Sequence, residues 1–244
     1  MRRFFVEKTD ITDENAKIFE QEFIHITKVL RCQPGEKCIL LDGSGYEYLS
    51  EIDYIDEMYV SFKIFEKKSS ETEPETRVTL YQGLPKSMKL DTVIQKTVEL
   101  GVFSIIPFIS SRCVKIPNNG FDRKKERLER IALEAVKQCK RAVVPEISNP
   151  LSFESLFESS AKHELTLLCY EGEEKTDLKS VLEHSDAKDI GLIIGPEGGF
   201  SSSEAEKLIE TGATPISLGK RILRTETAGM AALAMIMYEK DEMV

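Results

Sequence analysis

No stretch of this 244-residue chain stays apolar for the roughly 18–20 residues that a bilayer crossing requires, so a membrane span is not expected. The opening MRRFFVEKTD carries two arginines, but acids follow before an apolar segment can build. It does not read as a secretory signal, and the expected location is the cytoplasm. Cysteines are few, and Cys32, Cys38, Cys113, Cys139 and Cys169 include no C-x-x-C pair. Reduced, buried thiols are the expectation. His25, His163 and His184 are too scattered for a local metal clip, and no metal is expected. Positive charge is short overall: a net charge of −9 argues against a surface coated with non-specific nucleic-acid contacts. The G-x-G-x-x-G fingerprint of a dinucleotide site is missing as well, which weakens a nucleotide-dependent oxidoreductase.

What is present is an ordinary globular composition, 41% hydrophobic and 31% charged, long enough for one large domain or for a large and a small one. The polar, proline-bearing KKSSETEPET at 67–76 lacks apolar periodicity. It places a linker at 69–76 between modules at 1–68 and 77–244. The first module alternates in period two through CILLD (38–42), YEYLSEIDYI (46–55) and MYVSFKIF (58–65), separated by GSG, after a helical stretch ending in HITKVLR (25–31). That pattern predicts a small β-barrel. The second module alternates apolar strands (78–84, 104–109, 165–170, 190–195, 214–219) with helical stretches at 87–101, 121–141 and 225–240. This predicts an α/β fold with a mostly parallel sheet covered on both faces.

In such sheets ligands bind at the carboxyl ends of strands, and three ends here are unusual. CYEGEE starts at 169, GPEGGF spans 195–200, and LGKRILRTETAG starts at 218. Glycines in the second let backbone approach a ligand, and Ser201-x-x-Glu204 reads as a capping box that starts a helix directly after it. The third sets Ile222 and Leu223 between Arg221 and Arg224, which suits an apolar ligand face beside an anion; Thr225 is the expected helix N-cap. Singly, each loop also reads as a plain turn. From Arg112 to Arg141 ten Lys/Arg, among them Lys115, meet four acids, a strip that suits phosphate contacts or a solvated helix face.

Together, IGPEGGFSSSE and LGKRILRTETA, with MRRFFV, PGEKCILLDGSG, KLDTVIQKTVELGV and EAVKQCKRAVVPEI, resemble the SPOUT class of knotted methyltransferases. Within it the resemblance is to the family acting on N3 of a uridine in 16S ribosomal RNA. It implies a PUA-like RNA-binding barrel, then a SPOUT-like domain with a C-terminal trefoil knot. It also implies S-adenosylmethionine as cofactor, 16S RNA of the small ribosomal subunit as partner, and a homodimer. Tyr170, Glu171, Gly195, Pro196, Gly198, Leu218, Gly219, Ile222 and Leu223 are the implied cofactor positions. RNA contacts are expected from Arg2, Arg3, Arg31, Arg112, Gln138 and Arg141. The family's Gln-Ser-Gly-Arg stands here as Gln138-Cys139-Lys140-Arg141, which leaves an RNA or a structural role open for Gln138 and Arg141 and puts in doubt any role needing a hydroxyl at 139. Uracil N3 must lose a proton before it attacks a methyl group, so a cation near the carbonyl oxygens is needed. Arg224 is the first choice, with Arg221 and Arg141 behind it; Glu226 either takes the proton or orients an arginine. A non-catalytic RNA-binding assembly factor on the same fold is the alternative.

Overall fold

The structure, a computed structural model, describes residues 1–86, 89–113 and 121–243. The chain divides into two compact units, residues 1–73 with 136–144, and residues 74–135 with 145–244.

In the first unit β1 (Arg2–Phe5), β2 (Asn15–Ile18), β3 (Lys37–Leu41), β4 (Tyr46–Ile55) and β5 (Val60–Ser69) form one sheet in the order β1-β3-β4-β5-β2. β1 runs parallel to β3, and the other pairs are antiparallel. Gly43 and Gly45, at φ 74° and 88°, make the β3–β4 turn. Register shifts at Leu49/Ser50 and Ile52/Tyr54 bend the long strands into a half-barrel. One set of alternate residues is drawn inward, with Phe4, Leu40, Tyr48, Ile52 and Phe62 at the core. β2 lies in a stretch that the sequence suggests is helical. Its four residues alternate exposed and buried, a run too short to betray a strand by period. The helical stretch itself is α1 (Glu20–Ile24) continued by a π-helical turn, His25–Val29, and it stops at Arg31 in left-handed backbone, φ 52°.

In the second unit β6 (Arg77–Gly83), β7 (Ser104–Phe108), β8 (Glu146–Ile147), β9 (Leu165–Cys169), β10 (Asp189–Ile194) and β11 (Thr214–Ile216) give the order β11-β9-β10-β6-β7-β8. Every pairing is parallel. Strands buried on both faces must be apolar throughout, as IGLIIG is. Tyr81, Phe108, Leu168 and Ile193 pack on one face with Leu156 of α4 (Phe153–Ser160) and with Ala205 and Leu208 of α6 (Ser202–Glu210). The alternate residues meet α7 (Thr225–Glu239) on the other face. A Cβ built on Gly229 would lie 3.7 Å from both Leu80 and Ile194 side chains. α2 (Lys89–Glu99) and α5 (Leu178–Glu183) pack beside α7. Each fully buried Leu or Ile in these faces contributes about 2 kcal/mol.

The long charged helix α3 spans Phe121–Cys139 and begins in the second unit, but its last turn and the following residues to 144 belong to the first. There the Glu73 carboxylate accepts from the Ala142 and Val143 amides at 2.7 and 3.1 Å and from Arg141 at 2.7 Å. Lys140, which stands where the family pattern has glycine, is left-handed at φ 66°. Its carbonyl accepts from the Thr72 hydroxyl at 3.0 Å.

Candidate functional site

β9, β10 and β11 are neighbours in the second unit's sheet, so the loops leaving their carboxyl ends converge. They enclose a cavity of about 890 Å³. The first loop, residues 170–177, is tied to the third where Asp177 and Ser217 form a parallel bridge and the Ser217 amide donates to the Thr176 carbonyl at 2.8 Å. Cys169 forms part of the cavity wall at the end of β9, and burial pushes its thiol up to about 12.

The second loop, GPEGGF, is braced at nearly every residue. The Gly199 amide donates to the Pro196 carbonyl at 2.9 Å, with Gly199 left-handed at φ 63°. Arg112 donates to the Gly198 carbonyl at 2.7 Å. Phe200 stacks on Phe108, ring centroids 6.1 Å apart and nearly coplanar in orientation. Gly83 at the end of β6 is pressed against this loop: a Cβ there would stand 2.5 Å from the Pro196 nitrogen. The capping box forms as expected, Ser201 and Glu204 exchanging both bonds. Glu204 also accepts from the Ser111 amide at 2.8 Å. Burial opposes its ionisation, but these donors outweigh burial and hold its carboxyl below the usual range.

The third loop, 217–224, leaves β11 through Gly219 at φ 101° and is open. Ile222 is 87% exposed, and Arg221 and Arg224 are exposed. Two sequence readings are corrected here. The N-cap of α7 is Arg224, not Thr225, which lies inside the first turn. The Thr225 hydroxyl instead donates to the Gly195 carbonyl at 2.5 Å and accepts from Gln82 Nε2 at 2.8 Å, stitching the start of α7, where the third loop ends, to the second loop. Glu226 faces a lysine rather than an arginine: Lys89 Nζ is 3.3 Å from Glu226 Oε2 and 3.3 Å from Glu197 Oε1. Glu197 accepts the Lys86 amide as well, at 3.0 Å. Burial works against that charge, yet its own amide, Lys86 and Lys89 together hold it below the usual carboxylate range.

Of the sequence-derived positions, Tyr170, Glu171, Gly195, Pro196, Leu218, Gly219, Arg221, Ile222, Leu223 and Arg224 line the cavity. Gly198 and Glu226 are not in that wall; Gly199 and Lys89 are. Sequence reasoning missed Gln82, Lys89 and Glu197, whose partners lie far along the chain, and gave Thr225 a capping role in place of its bonds to Gln82 and Gly195. The proposed RNA positions scatter. Arg2 pairs with Glu36 at 2.8 Å, and Arg3 is held by the buried Glu47. Arg31 and Gln138 are exposed. Arg141 is 5% exposed and grips Glu73, which gives it a structural role. In the basic strip Arg127 makes a bidentate pair with Asp91 at 2.6 and 2.8 Å, and Lys115 lies outside the described residues. Among the described residues no group of three or more metal-ligating side chains occurs, and no helix is long and apolar enough to cross a membrane.

Known proteins resemble this chain along its whole length. A family model described as an RNA methyltransferase domain matches residues 72–237, and one described as an RNA methyltransferase PUA domain matches 20–65. Ribosomal RNA small subunit methyltransferase E of Bacillus subtilis is 34% identical over 250 residues, covering 99% of this chain and 98% of the relative. The protein of that name from Buchnera aphidicola subsp. Schizaphis graminum is 35% identical, covering 88% and 87%. Among solved structures, a Legionella pneumophila methyltransferase with bound cofactor SAM superposes with a TM-score of 0.83 at 30% identity, over 97% of this chain and 96% of that one. Ribosomal RNA small subunit methyltransferase E from Neisseria gonorrhoeae, bound to S-adenosyl methionine, gives 0.82 at 27%, over 98% and 97%. The half-barrel and the parallel sheet are accordingly the PUA-like module and the SPOUT-like methyltransferase domain expected from the sequence. The chain belongs to the ribosomal RNA small subunit methyltransferase E family.

Proposed function

We propose that this protein transfers a methyl group from S-adenosylmethionine to N3 of a uridine in 16S ribosomal RNA within the small ribosomal subunit. The observation that carries the reading is the cavity at the ends of β9, β10 and β11, in a chain of this family. Its size lies in the range of small-molecule sites, roughly 300–1,000 Å³. Its wall mixes apolar Ile194, Phe200, Leu218 and Leu223 with charged side chains, which suits a ligand that is part flat ring and part zwitterion. A Cβ on Gly195 would stand 3.0 Å from the Phe200 ring, so backbone forms the wall there.

Tyr170, Glu171, Gly195, Pro196, Leu218, Gly219, Ile222 and Leu223 would hold the cofactor, with Gly198 shaping the second loop from behind. When bound, it supplies a methyl group already activated on a sulfonium. The chain then aligns the acceptor nitrogen and stabilises charge. Arg224, assisted by Arg221, offsets the negative charge that grows on the uracil carbonyls as N3 loses its proton. Glu226, held by Lys89, orients that end of the pocket. The target base must leave its stack to reach the pocket. Arg2, Arg31, Arg112 and Gln138 supply phosphate and sugar contacts, Arg3 supports them through Glu47, and Arg141 acts by fixing the 140–144 segment.

The protein works in the cytoplasm as a homodimer. The exposed Met235 and Tyr238 on α7 supply an apolar surface for a second copy, while Gly229 is spent on the sheet. Sedimentation of the purified chain tests the dimer. Incubation with labelled S-adenosylmethionine and unmodified small subunits, followed by mapping, should place the label on N3 of one uridine. RNA binding without incorporation would mark a non-catalytic assembly factor instead.

A further inference from the structure

The cavity wall carries charge of both signs, but the charges differ in how much water screens them. Glu173 and Asp177 face the first loop's own backbone. Glu173 accepts from the Lys175 and Thr176 amides at 2.7 and 2.9 Å, and Asp177 from the Ser180 amide at 2.9 Å. Glu171 and Glu174 are exposed, as are Arg221 and Arg224. The Lys89 group is different. Lys89 and Glu226 are half-buried, their side chains 33% and 16% exposed, and they hold the more exposed Glu197 in an ion pair; the three span three elements: α2, the second loop and the first turn of α7. One ammonium lies between two carboxylates, so one negative charge is in surplus. Glu226 Oε2 is fully buried and has Lys89 as an ion-pair partner without hydrogen-bond geometry. Fields from such sheltered charges reach a bound ligand with less loss than fields from solvated ones.

We infer that the Glu197–Lys89–Glu226 cluster lets the pocket tell a cationic sulfonium donor from its neutral thioether product. The inference rests on the S-adenosylmethionine reading above. In the transfer the sulfur–methyl bond breaks and its electron pair stays on sulfur, while the nitrogen–methyl bond forms and the nitrogen's proton goes to solvent. The ligand thereby loses one positive charge at constant shape elsewhere. A half-buried cluster with one surplus negative charge favours the ligand before the reaction and favours it less afterwards, which helps the product leave. Lys89 keeps the surplus at one charge and fixes both carboxylates.

Titration calorimetry with S-adenosylmethionine and S-adenosylhomocysteine tests this without any turnover. Glu226→Gln and Glu197→Gln each remove the surplus charge while keeping shape. Each should weaken the sulfonium ligand on the order of three- to tenfold and leave the thioether within about twofold. Lys89→Met should keep or sharpen the preference for the sulfonium, even where loss of the clamp weakens both ligands; Lys89→Arg should match wild type. Equal weakening of both ligands in the two glutamine variants, with unchanged melting temperatures, would mean that the cluster only holds the loops together. An unchanged ratio would overturn the inference too. Wild-type protein that binds neither ligand would overturn the proposed function itself, a separate result.

Discussion

The two glycine-bearing loops that leave β10 and β11 line the same cavity on opposite plans. GPEGGF is held on every side: by Arg112, by Thr225, by the Lys89 cluster, by Phe108 beneath Phe200 and by the close approach of Gly83. LGKRILR leaves β11 with few such bonds, and its apolar Ile222 stands in solvent. One is a wall that exists before any ligand arrives. The other leaves Arg221, Ile222 and Arg224 in solvent beside the cavity. Stability and function should therefore separate between the two loops, and substitutions can test that separation.

The largest effect is expected at Gly83→Ala. The new methyl group would meet Pro196 and Gly195 backbone at 2.5 and 2.9 Å, atoms that cannot swing aside. A loss of about 3 kcal/mol or more in denaturant unfolding is expected. A loss under about 1 kcal/mol would show that the second loop is not rigidly seated. Arg224→Ala lies on the other side of the comparison. A fall of about a hundredfold in methyl-transfer rate is expected, with cofactor affinity and melting temperature unchanged; normal N3 methylation would remove Arg224 from the mechanism. Thr225→Val cuts the stitch between the loops, and the buried Gln82 amide loses its better acceptor. About 1–2 kcal/mol of stability should go. Ile222→Ser should leave stability within about 0.5 kcal/mol, because the side chain is already in water. Its effect should show only as weaker cofactor binding by calorimetry. A clear change in melting temperature would mean that the third loop is packed in solution.

Periodicity made most of the framework legible. Apolar runs of five or six residues marked β9 and β10, and period-two alternation marked β4 residue for residue. β2 was hidden because four residues beside a helix give too little pattern. The site was legible as three loops, through their glycines and arginines, but not as a set of bonds. Thr225 reaches Gln82 across 143 positions and Arg112 reaches Gly198 across 86, and nothing local in the sequence records such pairs. The return of residues 136–144 to the first unit was equally silent. It depends on Glu73 meeting two amides and a guanidinium nearly seventy residues away. For the same reason the sequence left Arg141 open between an RNA contact and a structural role, although it is buried against Glu73.

One wall residue bears on how such a pocket survives its own chemistry. A methyl donor on sulfur is an electrophile, and the sulfur side chain at the end of β9 is a latent nucleophile only in its anionic form. Held protonated by its surroundings far above physiological pH, Cys169 presents a soft, inert contact surface. With so little thiolate at neutral pH, the sulfur that the end of β9 contributes to this wall is a poor nucleophile.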